Sequence, residues 1–173
     1  MPRIPLIAPA DMATDDRATF DALAQHQTPG ASEQVFAAMA HAPAIMRTAL
    51  EHLRVLMAPG EVPADLKELI ALRVTLINPC VFCMQMALAK RFDLPKDLLD
   101  ALVHLDENQA RFTPAQYTAI RYAEMVTTSA TDVDARLWSE MQSHFSDAAI
   151  VELTALIGFV NYLNRFADAL GLN

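Results

Sequence analysis

With 173 residues, the chain fits one domain or two small fused halves, and it can bury a core without staples. Hydrophobic residues make up 53% and charged residues 20%, which excludes a disordered chain. A formal net charge of −8 argues against nucleic acid and anionic membranes as partners, because both demand clustered Lys and Arg.

The opening segment, Met1-Pro2-Arg3-Ile4-Pro5-Leu6-Ile7-Ala8-Pro9, has three prolines where a secretory signal needs an uninterrupted apolar helix, so an extended arm is expected. No stretch of about 18 residues is free of charge, and no membrane span is expected. Two cysteines without an export signal point to the reducing cytoplasm.

Apolar spacing predicts helices near 14–25, 32–40, 43–57, 63–77, 79–92, 95–105, 114–129, 133–145 and 147–170. Pro43, Pro63, Pro79, Pro95 and Pro114 stand where these helices begin, the position at which a missing N–H costs nothing. Thr113 and Gln116 form a capping box. Sustained alternation rich in Val, Ile and Thr is absent, so the fold class is an all-α helical bundle. Residues 1–30 read as an arm and first helix. Residues 31–173 read as a single helical domain, with halves at about 31–108 and 109–173.

The helix from Pro63 is apolar on most sides. Leu66, Leu69, Ile70, Val74 and Ile77 form one stripe, and Ala64, Ala71, Leu72 and Thr75 a second, which places the helix in a core. Glu68 lies on the second face, where a carboxylate needs a partner or a raised pKa. Leu66-Lys67-Glu68-Leu69-Ile70-Ala71-Leu72 also echoes Ile150-Val151-Glu152-Leu153-Thr154-Ala155-Leu156 at an offset of 84 residues. Glu152 has no thiols near its own echo and is expected to pair with a base such as Arg73 or Arg165.

The chemistry-bearing motif is Cys80-Val81-Phe82-Cys83, which holds the only two cysteines. At the start of a helix, residues i and i+3 share a face, so the sulfurs can form and reopen a disulfide. The first-turn N–H groups favour the thiolate. The competing reading is a pair of buried small hydrophobes. A structural zinc site would need four ligands, and no second Cys pair or close His pair supplies them. Neither a metal nor a cofactor is expected.

Glu68, eleven residues and then Cys-x-x-Cys is similar to the alkylhydroperoxidase D branch of the carboxymuconolactone decarboxylase family. Leu69–Val74, Glu152–Phe159 and Asn161–Phe166 extend that resemblance over roughly residues 33 to 170. It implies an all-helical redox enzyme that reduces peroxides. Cys83 would match the peroxidatic thiol, Cys80 its resolving partner and Glu68 the start of a proton relay. The implied partners are a small hydroperoxide, an external thiol reductant or redox protein, and further copies of the chain in a homo-oligomer.

One position departs from the family pattern. Cys-x-x-Cys-x-x-x-His becomes Cys83-Met84-Gln85-Met86-Ala87, so the relay imidazole is missing. An attenuated thiol-dependent peroxidase, a thiol–disulfide oxidoreductase and a degenerate member retained for binding or assembly all stay open. Glu68 likewise has a structural alternative, as the last residue of a capping box Asp65-Leu66-Lys67-Glu68. Phe82, Met84, Met86, Phe159 and Tyr162 could line an organic pocket, although such residues at helical spacing usually serve a core.

Overall fold

The computed structural model describes residues 2–25, 33–78 and 96–172. Its α-helices are α1 (Thr14–Gln25), α2 (Glu33–Met39), α3 (Pro43–Met57), α4 (Ala64–Ile77), α5 (Lys96–Val103), α6 (Pro114–Ser129), α7 (Ala135–His144) and α8 (Asp147–Leu170), and no strand occurs among the described residues. Each predicted helix in these regions is present, with ends shifted by at most two residues. The helix expected at 79–92 lies outside them.

Local chemistry explains the boundaries. Pro43 and Pro114 occupy the first helical turns of α3 and α6, Pro63 is the N-cap of α4, and Pro95 immediately precedes α5. Thr113 and Gln116 form the expected capping box: the Gln116 N–H donates to Thr113 Oγ1 at 3.2 Å, and the Thr113 N–H to Gln116 Oε1 at 3.0 Å. Asp134 and Ser146 cap α7 and α8 through their side chains. Gly171 ends α8 with φ 61°, a left-handed conformation that favours glycine, and Leu172 closes the turn by donating to Ala167 O.

Three helices make the centre. α4 and α8 lie side by side in the same direction, because Lys67 and Glu152 meet near their N-termini and Asn78 and Asn161 meet further on. α6 runs the same way, with Tyr122 Oη 2.8 Å from Thr154 Oγ1 and Thr127 bonded to Asn161. Leu69, Ile70, Leu72 and Val74 of α4 pack in one core with Ile120 of α6 and Leu156 of α8. Truncating a side chain such as Leu72 to alanine would cost about 2–5 kcal/mol.

The arm expected at the N-terminus straps this bundle. Arg3 donates from its backbone N–H to Leu170 O and from its guanidinium to Ala169 O, both at 2.8 Å, which satisfies carbonyls at the end of α8. The Ile7 N–H reaches Ala37 O, and the His41 ring nitrogen Nε2 lies 2.8 Å from Pro5 O. No single helix among the described residues is long and apolar enough to cross a membrane.

Candidate functional site

Of the residues singled out by sequence, Cys80, Cys83 and Ala87 lie outside the described residues, and Glu68 lies within them.

Glu68 is half-buried on α4. Because α4 starts at Ala64 with Pro63 as N-cap and no side-chain cap bond, Glu68 sits in the second turn, too deep for a capping box. The capping alternative is therefore excluded by where the helix begins. Desolvation by burial holds the Glu68 carboxyl above its ordinary value, and the Asp65 charge one turn earlier pushes the same way. Leu72 and Thr75, one and two turns on, share its side of the helix and are buried.

The cations closest in sequence are committed elsewhere. Lys67, only 1% exposed, pairs with Glu152 and donates to Ala58 O at 2.6 Å. Glu152 also accepts from the Glu61 and Val62 N–H groups at 3.1 and 3.3 Å. Its partner is thus Lys67, and not Arg73 or Arg165: the lysine stem stays within the core while its ammonium reaches the partly exposed carboxylate of the neighbouring helix.

Arg73 donates to Glu124 Oε1 at 2.8 Å and to Leu102 O, near the end of α5, at 2.6 Å. Arg121 holds the other Glu124 oxygen. Among the described residues, Glu68 keeps no cation, hydrogen-bond donor or imidazole as a partner. Three of the described histidines have other contacts: His41 Nε2 lies on Pro5 O, the His52 ring is tilted 37° against Phe159 with centroids 4.7 Å apart, and His144 lies against Phe145.

A second polar feature lies where the chain leaves α4 for Pro79 and Cys80. Asn78 Nδ2 donates to Val74 O at 2.8 Å and to Asn161 Oδ1 at 3.0 Å. Asn161, buried on α8, donates in turn to Thr127 Oγ1 and Ile157 O, each at 3.0 Å. This chain of bonds ties the ends of α4 and α6 to α8 directly before the Cys-x-x-Cys motif. Sequence reasoning did not single out Asn161 as a site residue; its signal was an amide, with Asn164 one turn on, on the otherwise apolar buried face of α8.

Phe159 and Tyr162 take neither expected role cleanly. With Ile45, Thr48, His52 and Ala155 they line an open groove of about 450 Å³ between α3 and α8. Phe159 is buried, Tyr162 is half-exposed, and Phe159 stands on the side of α8 opposite Asn161.

The described helices define the class, an all-α bundle in which α4, α6 and α8 run parallel through the core. Residues 43–125 match the carboxymuconolactone decarboxylase family. The whole fold is similar to that of a peroxidase-related protein from Ralstonia eutropha JMP134 described as an alkylhydroperoxidase AhpD core, with TM-score 0.79 and 20% identity over 99% of this chain and 91% of that one.

A variant of the debrominase Bmp8 in complex with 2,3,4-tribromopyrrole aligns with TM-score 0.82 and 20% identity, over 96% of this chain and 88% of that one. The Escherichia coli K12 protein YnjA is 29% identical over 107 residues, which cover 61% of this chain and 59% of that protein's length. The fold is alkylhydroperoxidase D-like, and residues 43–125 carry the chain's match to the carboxymuconolactone decarboxylase family.

Proposed function

We propose that the protein is a thiol-dependent peroxidase that reduces organic hydroperoxides through Cys83 and Cys80, with Glu68 as proton acceptor. The observation that carries this reading is the state of Glu68. A carboxylate twelve positions before Cys80 is half-buried, held above its ordinary pKa and without a cation among the described residues, while Lys67 and Arg73 on the same helix are both paired. A carboxylate used only for structure would gain from such a partner, whereas a proton acceptor works best with its pKa moved toward neutrality.

In this reading Glu68 takes the Cys83 proton directly or through water. The thiolate attacks the terminal peroxide oxygen, the O–O bond breaks, and the alkoxide leaves as alcohol with that proton, leaving Cys83 as a sulfenic acid. The Cys80 thiol then displaces water from the sulfenic acid to form the disulfide. An external dithiol restores both thiols and is itself oxidised to a disulfide.

With alanine at position 87 and no described imidazole on Glu68, the rate is expected to fall below that of a complete relay. The same absence favours thiol–disulfide exchange as the second reading, since exchange needs the low-pKa thiol and not the relay. Thiol counting with a chromogenic disulfide tests the proposal: two reactive thiols should fall to none after excess cumene hydroperoxide under native conditions. A count that stays at two ends the peroxidase reading.

A further inference from the structure

The outward faces of α3 and α8 carry apolar surface that neither the core nor the proposed chemistry uses. On α8, Val151, Ala155, Gly158 and Tyr162 fall within about 60° of one another around the helix axis. On α3, Ile45, Thr48, His52 and Val55 form a second stripe within about 80°. Val151 is 68% exposed, Val55 55%, Ile45 50% and Tyr162 40%, so four large apolar side chains meet solvent on two packed helices. Together they expose on the order of 400 Å², the size at which an apolar patch marks an interaction site.

The face has relief that matches itself. The groove of about 450 Å³ runs between the two helices, and Gly158 lines it with bare backbone: a Cβ added there would meet nothing within 4 Å. Val151, the most exposed of the described large apolar side chains, projects from the same stripe two turns earlier, about 10.5 Å along the axis. A knob and a hole on one helix face suit a two-fold axis, because residue i then meets j while j meets i. With the axis crossing α8 beside Ala155, α8 of a second copy runs antiparallel, and each Val151 side chain seats over the opposite Gly158. The small Ala155 side chain lets the two backbones approach there.

Charge favours the same occupant. Copies that each carry a net charge of −8 repel one another, and neither stripe contains an Asp, Glu, Lys or Arg, so two copies can meet here without opposing carboxylates. Arg47, Glu51 and Arg54 of α3 and Arg165 of α8, all exposed, flank the stripes with charges of both signs. A standard interface takes about 800 Å² from each partner, with an apolar core and a polar rim, and the stripes and their flanks supply those two parts. We propose that the α3–α8 face is a two-fold interface between copies of this chain, in which Val151 of each copy seats over Gly158 of the other.

Sedimentation velocity on the full chain tests it. At micromolar concentration the parent should have twice the 19.0 kDa chain mass, or a higher even multiple. Val151→Glu and Gly158→Lys should each halve that mass and weaken self-association about 100-fold or more, since each buries an unpaired charge at two related points. Both positions are exposed in the single copy, so neither variant should unfold below the dissociated parent. Combining the two in one chain sets a carboxylate opposite an ammonium twice, and should return the affinity to within about tenfold of the parent. A monomeric or trimeric parent, self-association indifferent to both single substitutions, or a double variant no better than the singles would overturn the interface. So would a monomer whose groove takes up the apolar dye ANS and loses it in Gly158→Lys, which would make the face a ligand site instead.

Discussion

Glu68 and Glu152 stand at matching positions of the two echoed heptapeptides, on parallel neighbouring helices, yet their surroundings are opposite. Glu152 receives the Lys67 ammonium and two backbone N–H groups of the loop before α4. Glu68 is half-buried with no cation among the described residues and with Asp65 adding negative charge. The same residue in the same local pattern thus becomes an ion-paired fastener in one half and, among the described residues, an unpaired half-buried carboxylate in the other. Partners across the helix interface decide the role, and Lys67 faces Glu152 because successive side chains on α4 point about 100° apart.

The largest effect is expected at the fastener. Glu152→Ala leaves the Lys67 ammonium buried with one carbonyl as its remaining described partner, and such an uncompensated charge costs about 3–5 kcal/mol. Urea unfolding measures it. A loss under about 1 kcal/mol would show that the ammonium repartners easily, and the contrast between the two carboxylates would collapse.

Glu68→Gln should behave in the opposite way. The raised carboxyl pKa means that the folded state binds the Glu68 proton more tightly than the unfolded chain. That stabilises the protein below the ordinary value of 4.5, and the advantage disappears as pH rises through the folded-state pKa. At pH 7 the variant should therefore be at least as stable as the parent, with the difference closing below 4.5. Hydroperoxide consumption, followed by stopped flow, should fall about 10²-fold. A destabilised variant with an unchanged rate would make Glu68 a second fastener.

Gly60 sharpens the same contrast with a smaller effect. A Cβ there would meet the Glu152 carboxylate, with Oε2 at 2.8 Å and Cδ at 2.9 Å. Gly60→Ala should cost about 1–3 kcal/mol in the parent, since the carboxylate is held on three sides and cannot retreat. In the Glu152→Ala background most of that cost should vanish. Strict additivity of the two losses would mean that the glycine is needed for another reason.

Much of the scaffold was legible because its signals are local. Prolines at helix starts, the Thr113 cap and the core stripe of α4 depend on neighbours within one or two turns. The Glu68 site was legible only in part: spacing to Cys80 picked the residue, but the capping alternative turned on where α4 begins, which Pro63 left uncertain by a residue or two. The partner of Glu152 was not legible, since Arg73, Arg165 and Lys67 are equally basic in one dimension and only packing chooses among them. Asn161 and Asn164 were quoted as part of a motif, but nothing in the chain says that one would be fully bonded and the other unpaired among the described residues.

The smallest expected effect concerns the missing relay. At helical spacing, a histidine at position 87 would share a face with Cys83 and lie one turn away, where an imidazole can pass a proton between thiol and carboxylate. If Glu68 serves as the proposed proton acceptor, Ala87→His should raise the hydroperoxide rate by about tenfold, an order below the usual contribution of a positioned acid–base group. The gain should depend on that carboxylate, so Ala87→His combined with Glu68→Gln should recover little of it. An equal gain in both backgrounds would mean that the histidine acts on the thiol alone, and Glu68 would then differ from Glu152 in its surroundings without differing in its task.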